Sequence, residues 1–423
     1  MFVRKNRWAV VAATLGLALF GAAPDASAAK LKTLYSFCPE GNCSNGTGPT
    51  GGLVRDGHGN LFGMTGGGGA NNRGAVFELA RKTQGIWEYK TLYSFCSQRH
   101  CADGANPWAG LVLDTTGNLY GATTVGGRAH GLAGVIFELT RAGESQLLHA
   151  FCSQKGCPDG KNPQIALTYA GASEGALYDG TSPLYGATKT GGSHKKGTVF
   201  KLEPQEDGTW THTVLRSFSN PGPTYPSGRI ALDAEGNIYG ATLFGGEHNY
   251  GAIYEITAAA KQKVLYSFCP LPPACTDGRY ANGGVTMDAA HNLYSVTGLG
   301  GAQDQGVVYR FVPDSMSYAV LHDFCSQEQC ADGTNSGSGL TIDANGNVLG
   351  VAEGGGAFNN GVVFQIDPAG NQKVLYSFCF EAGCTDGAAP SGELGFDASG
   401  NLIGTTSGGG ANGEGGTIFK LSH

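Results

Sequence analysis

Twelve cysteines stand in six close pairs: Cys38 with Cys43, Cys96 with Cys101, Cys152 with Cys157, Cys269 with Cys275, Cys325 with Cys330, and Cys379 with Cys384. Two chemistries use paired cysteines, metal coordination and disulfide formation. Structural zinc takes two pairs, with two to four residues inside each, converging on one ion. Here each pair sits in its own copy of a repeated stretch, so four thiolates would not readily converge. An even count of local pairs with none left over predicts six disulfides between sequence neighbours. Each closes a small ring and contributes about 2 kcal/mol by loop entropy. Their task is to stiffen loops that have no core of their own.

Five pairs are followed by Asp-Gly, which gives Asp103, Asp159, Asp277, Asp332 and Asp386, with Asn45 in the first copy. A ring of carboxylates suggests calcium. One Asp per loop around a wide ring, however, cannot supply six oxygens to one ion. Asp-Gly reads as a turn, and no cofactor is expected. His130, His194 and His248 occupy equivalent Gly-Gly loops. Three imidazoles can bind a metal, but loops of three separate units hold them apart, so they read as solvated. The Gly-Gly loops lack the following helix and Lys-Ser/Thr of a phosphate loop. Ser, His and Asp are scattered, with no triad to single out.

The sharpest chemical signal is a break in the repeat. After Phe218 the connection reaches the next apolar strand residue, Ile230, in 12 positions instead of 16 or 17, and both cysteines are missing. Tyr225 and Arg229 lie in it. Arg229 stands where Gly52, Gly110, Ala166, Gly284 and Gly339 stand elsewhere, and Glu393 is the other charged exception. Trp108 and Gln164 end two further connections. A half-buried cation there needs a partner, either Glu393 or an anionic ligand group. The candidate ligand contacts are therefore Arg229, Tyr225, Trp108, Gln164, Glu393, His194 and His248. No residue is singled out as catalytic.

These loops need a scaffold, and the repeat supplies it. An aromatic motif, "LYSF" in its commonest form, begins at Leu34, Leu92, Leu148, Leu215, Leu265, Leu321 and Leu375. A period near 50 residues marks a propeller, solenoid or array. Each unit contains "GLVRD", a "GHGN" turn, "LFGMT", a Gly-rich loop, "AVFELA" and "YKTLYSF" or their equivalents. These read as four antiparallel strands, with no helical periodicity. The Asp of the turn, as in Asp56, Asp114, Asp233, Asp288, Asp343 and Asp397, is expected to accept backbone hydrogen bonds. The chain opens with a lone fourth strand, "KTLYSF", and closes with three strands. Joined, they complete a seventh sheet and remove an exposed edge. The expected fold is all-β, a seven-bladed propeller over residues 29–423.

The residues "LYSF…G…P…GGL…D…GNLYG.T..GG….G.VF.L" resemble the GloVer tandem repeats of bacterial choice-of-anchor proteins over nearly the whole chain after the leader. The resemblance implies an exported protein and carries no settled activity. Residues 1–28 read independently as a secretory signal: a basic start, an apolar run, and a small-residue end at Ala26 and Ala28. Removing Arg4, Lys5, Arg7 and Asp25 takes away a net +2, so the charge moves from −7 to −9. An acidic body argues against nucleic acid, and no later segment is long and apolar enough to span a membrane. The expectation is a secreted or periplasmic, monomeric, non-catalytic module binding a glycan or protein on its loop face. The rivals are a hydrolase or lyase acting on extracellular polysaccharide, and a structural matrix protein.

Overall fold

The computed structural model describes residues 29–422, except 40, 83–84, 128–132, 165 and 174. The export-signal expectation and His130 lie outside the described residues.

Seven antiparallel sheets follow one another around an axis. Blade one runs Thr47–Arg55, Leu61–Gly67, Ala75–Arg81 and Trp87–Ser94, from the axis outward. Blade four runs Thr224–Leu232, Ile238–Phe244, Ala252–Ile256 and Gln262–Ser267. Blade seven takes Ala388–Phe396, Leu402–Gly408 and Thr417–Ser422 from the end of the chain and Lys30–Ser36 from its start. Lys30 pairs with Ser422 and Ser36 with Thr417, so the expected closure is present.

What holds blade to blade is the phenylalanine that ends each motif. Phe37, Phe95, Phe151, Phe218, Phe268, Phe324 and Phe378 are all buried. Each meets the third-strand ring of the next blade edge-on, as in Phe37–Phe77 at 5.4 Å, Phe218–Tyr254 at 5.0 Å and Phe378–Phe419 at 5.1 Å. Burying such a ring stabilises by roughly 1.5–3 kcal/mol, and the edge-to-face contact adds about 0.5–1.5 kcal/mol. The glycine after the second-strand aromatic makes room for the third-strand ring. A Cβ on Gly63 would lie 2.6 Å from the Phe77 ring.

Two local features depart from the simple strand reading. Every fourth strand carries a bulge at the motif leucine, for example at Leu34, between the Thr33–Phe419 and Tyr35–Ile418 pairs. The extra residue lets Leu34 and Phe37 both contribute to one core. First strands also start earlier than "GLVRD" implies, at Thr47 in blade one, because the chain bulges at the small residues Gly51 and Gly52. Among the described residues, blade three has no regular innermost strand. Thr168 bridges Tyr185, and Lys161 bridges Thr190. Its longer hairpin instead buries Tyr178, whose N–H donates to the Leu113 carbonyl of blade two.

The hairpin aspartates act as expected. Asp56 accepts from the His58 and Asn60 amides at 2.9 Å and from Asn60 Nδ2 at 2.8 Å.

The cysteines pair as the spacing predicts. Cys38 is bonded to Cys43, Cys96 to Cys101 and Cys152 to Cys157. Cys269 is bonded to Cys275, Cys325 to Cys330 and Cys379 to Cys384. All twelve adopt positive φ, so each bridge locks a loop bent at both ends. These bridges therefore brace the connections. The second cysteine of a pair also anchors the neighbouring Gly-Gly loop through its backbone. The Cys43 carbonyl accepts from the Gly69 amide at 3.0 Å, and Cys101, Cys157, Cys275, Cys330 and Cys384 accept in the same way from Gly127, Gly192, Gly301, Gly356 and Gly410. The Asp that follows is an internal brace. Asp103 accepts from Tyr93 Oη at 2.7 Å and from the Ser97 amide at 2.8 Å, and it is buried. Where the motif tyrosine becomes histidine, the brace adapts: His149 Nε2 lies 3.3 Å from Asp159 and His322 Nε2 lies 3.1 Å from Asp332.

Candidate functional site

Two places on the scaffold collect the candidate residues. The first is the axial channel, a cavity of about 630 Å³ walled by the first strands of the blades. Small residues permit it. A Cβ on Gly51 would lie 2.4 Å from the Gly110 nitrogen, and one on Gly284 would lie 2.6 Å from the Arg229 nitrogen. Into this ring of Gly and Ala project two charged side chains from nearly opposite blades. Arg229 Nη1 donates to both carboxylate oxygens of Glu393, at 3.1 and 3.0 Å. Both side chains are about three-quarters shielded. The ion pair crosses the channel, so the sequence expectation of a partnered cation is met from within the chain.

Trp108 and Gln164 also line the channel, with Lys189, Asn282, Asn335 and Glu353. Trp108 is 61% exposed. Asn335 Nδ2 donates to Glu353 at 3.1 Å. Glu353 reaches toward solvent, yet the protein packed about its carboxyl raises its pKa above the ordinary carboxylate value. At the other end of the channel, Ala172, Ser173, Ala176 and Leu177 of the blade-three hairpin contribute to the wall.

The second place is the shortened connection. It separates Tyr225 from Arg229 instead of joining them in one notch. Tyr225 turns to the loop face and begins a run of four rings: Tyr225–Phe244 at 5.7 Å, Phe244–Tyr280 at 5.2 Å and Tyr280–Tyr250 at 5.9 Å. Lys196 Nζ lies 4.8 Å from the Tyr225 ring centre and donates to its hydroxyl at 3.0 Å. Arg279 lies over Tyr250 and Tyr280 and is held bidentately by Asp304. Phe244 is 38% exposed, and the three tyrosines are half-buried.

Backbone geometry makes this patch unusual. Tyr225 and Tyr280 have φ of +59° and +58°, in the left-handed region that bulky residues avoid. The same position is held by Gly48, Asn106, Asn162, Asn335 and Ala389 in the other blades. It is pinned there by a blade-to-blade bond, such as the Tyr225 amide to the Lys196 carbonyl at 2.8 Å. Comparing the seven copies position by position would have exposed Tyr280. Tracking the shortened connection alone found only Tyr225. Phe244, Tyr250 and the channel residue Glu353 were missed because each lies in or next to a Gly-rich loop whose spacing is ordinary.

His194 is exposed and lies 3.1 Å from its neighbour Ser193 through Nδ1; His248 is half-buried on the next blade's loop. Neither joins the channel lining. Among the described residues, no group of three His, Cys, Asp or Glu is placed to hold a metal, and no helix is long and apolar enough to cross a membrane.

Residues 18–183 match the Gloeobacter/Verrucomicrobia repeat family. No curated protein sequence matches this chain. Among solved structures it is similar to a Xanthomonas campestris gluconolactonase, at 12% identity and TM-score 0.45, covering 93% of this chain and 89% of that one. It is also similar to a Vibrio parahaemolyticus oligogalacturonate lyase, at 10% identity and TM-score 0.49, covering 93% and 96%. The architecture of this repeat protein rests on its own sheet order and register.

Proposed function

We propose that this repeat protein is an exported, non-catalytic binding module and that the four-ring platform of blades four and five is its glycan contact. The reading is carried by Tyr225 and Tyr280, large rings held in a backbone conformation that the other blades fill with Gly, Asn or Ala. Backbone strain that the fold does not need is a pointer to function. Half-exposed rings suit the apolar faces of sugars, and the six disulfides suit an oxidising compartment. The decisive experiment is a glycan array, with a reducing-sugar assay on the same preparation. Binding that is lost in Tyr225→Asn and Tyr280→Asn, without turnover, is the expected result. A second reading, an enzyme acting on polysaccharide, rests on Glu353 at the channel mouth. Turnover abolished by Glu353→Gln would replace the binding reading.

A further inference from the structure

We infer that the ligand of this platform is an acidic glycan, a chain of uronic acid residues whose carboxylates meet the lysines of blade three. The inference rests on the platform reading above and adds the chemistry of the ligand. The chain is acidic overall, with 34 Asp and Glu against 27 Lys and Arg, yet its charge is uneven. The blade-three segment beside Tyr225 carries Lys189, Lys195 and Lys196 within eight residues. Blades one, four, five and six hold Asn72-Arg73, Asn249-Tyr250, Asp304-Gln305 and Asn359-Asn360 where blade three has Lys195-Lys196, so blade one shares one cation and blade three alone has two. None of the three lysines makes an ion pair with an acidic side chain among the described residues, whereas Arg279, at the far side of the rings, is already held by Asp304.

Geometry joins these cations to the rings. Lys196 sits on Tyr225 itself, and Lys189 lines the channel mouth. Lys195 is exposed and has φ of +59°, at a place where Asn72, Asn249, Asp304 and Asn359 stand in other blades. Thus Lys195, Tyr225 and Tyr280 all put a long or bulky side chain where sister blades use a residue suited to left-handed backbone. All three fall on one stretch of the loop face. Successive ring centres are 5.2–5.9 Å apart, close to the length of one pyranose. Neighbouring rings are inclined by 79°, 58° and 56°, so a polymer laid along them would meet ring faces and edges in turn and present a carboxylate to Lys195 and Lys196 at one end. Ammonium groups with no acidic partner favour an anionic chain over a neutral one.

The test is calorimetry with a uronic acid oligosaccharide and with the same oligosaccharide after reduction of its carboxyls to alcohols. The full chain is used, at low and at physiological salt. The acidic form is expected to bind about tenfold tighter, with the advantage shrinking as salt rises. Lys195→Gln, which leaves the Lys196–Tyr225 contact in place, should remove most of that advantage and leave the carboxyl-reduced ligand unaffected. Tyr225→Asn and Tyr280→Asn install residues already present at this position and should weaken both ligands. Equal binding of the two oligosaccharides, still lost with the tyrosines, overturns the acidic-ligand inference and leaves the platform reading standing. Binding of poly-glutamate that equals the acidic oligosaccharide and competes with it would assign the site to an acidic peptide. No tyrosine-dependent binding of any glycan overturns both readings.

Discussion

His212 is expected to make the seam between blades two and three sensitive to pH. It stacks on His149 with ring centres 4.0 Å apart and an interplanar angle of 6°, and it also touches Phe151 and Phe200. Burial is the main cause that lowers its pKa from 6.5 to about 3; His149 adds to the effect and Asp159 opposes it. Because the folded-state value is the lower one, the unfolded chain takes up the proton first. The stabilisation from neutral His212 is complete above about pH 6.5 and is lost as pH falls below it. At pH 5.0, 1.5 units below that value, the loss is about 2 kcal/mol at 1.36 kcal/mol per unit. His212→Tyr is the informative change. Tyr89 and Tyr318 occupy the same place in blades one and five and stack on Tyr35 at 4.4 Å and on Tyr266 at 4.2 Å. Urea unfolding of both proteins at pH 7.5 and 5.0 should show the wild type losing about 2 kcal/mol more than the variant. Some slope will remain, because burial also lowers the His322 pKa. Equal pH slopes in the two proteins, or an NMR titration placing His212 near 6.5, would refute the reasoning.

Three further outcomes are expected. Arg229→Met should destabilise the fold by about 1 kcal/mol, since the Glu393 carboxylate then sits in the channel without its partner; Arg229→Met with Glu393→Gln should recover most of it, and additive losses in a double-mutant cycle would show the ion pair to be idle. Deleting 31–37 removes the fourth strand of blade seven and the Phe37–Phe77 contact, so size-exclusion and thermal melts should show aggregation or a large loss of melting temperature. The Tyr254 hydroxyl is buried with no hydrogen-bond partner among the described residues, and five blades use Phe at this place, so Tyr254→Phe should leave stability unchanged or raise it by about 1 kcal/mol.

The fold was legible because its determinants repeat. Phe37 and its six counterparts, the Asp56-type turns, the neighbouring cysteine pairs and the orphan strand at Lys30–Ser36 each follow from local spacing, and each stands in the structure as expected. The bulge at the motif leucine was not legible, since it depends on pairing with the third strand rather than on alternation within the fourth. The site was legible in fragments. Arg229 and Glu393 were visible as charged exceptions in a column of small residues, but their pairing depends on how far apart blades four and seven sit across the axis. The expected grouping of Arg229 with Tyr225 failed because four residues of strand carry one into the channel and leave the other on the loop face.

The three left-handed exceptions on the loop face pose a stability question that the fold alone answers one way. Sister blades make the same blade-to-blade hydrogen bond with Asn, as from the Asn106 amide to the Arg73 carbonyl at 2.8 Å, so Tyr225 and Tyr280 gain no backbone contact in return for their strain. For the tyrosines, ring packing offsets part of that cost, and replacing them by Asn moves two opposed terms. Lys195 is the cleaner case: it is exposed, makes no ion pair among the described residues, and has φ of +59°. A left-handed conformation costs a non-glycine residue roughly 1 kcal/mol, and Asn bears less of that cost than Lys. Lys195→Asn should therefore stabilise the protein by about 0.5 kcal/mol while weakening its hold on an acidic ligand. Denaturant midpoints and calorimetry on one preparation read both quantities. If Lys195→Asn lowers stability, the lysine belongs to the fold, and its place beside Tyr225 loses its functional meaning.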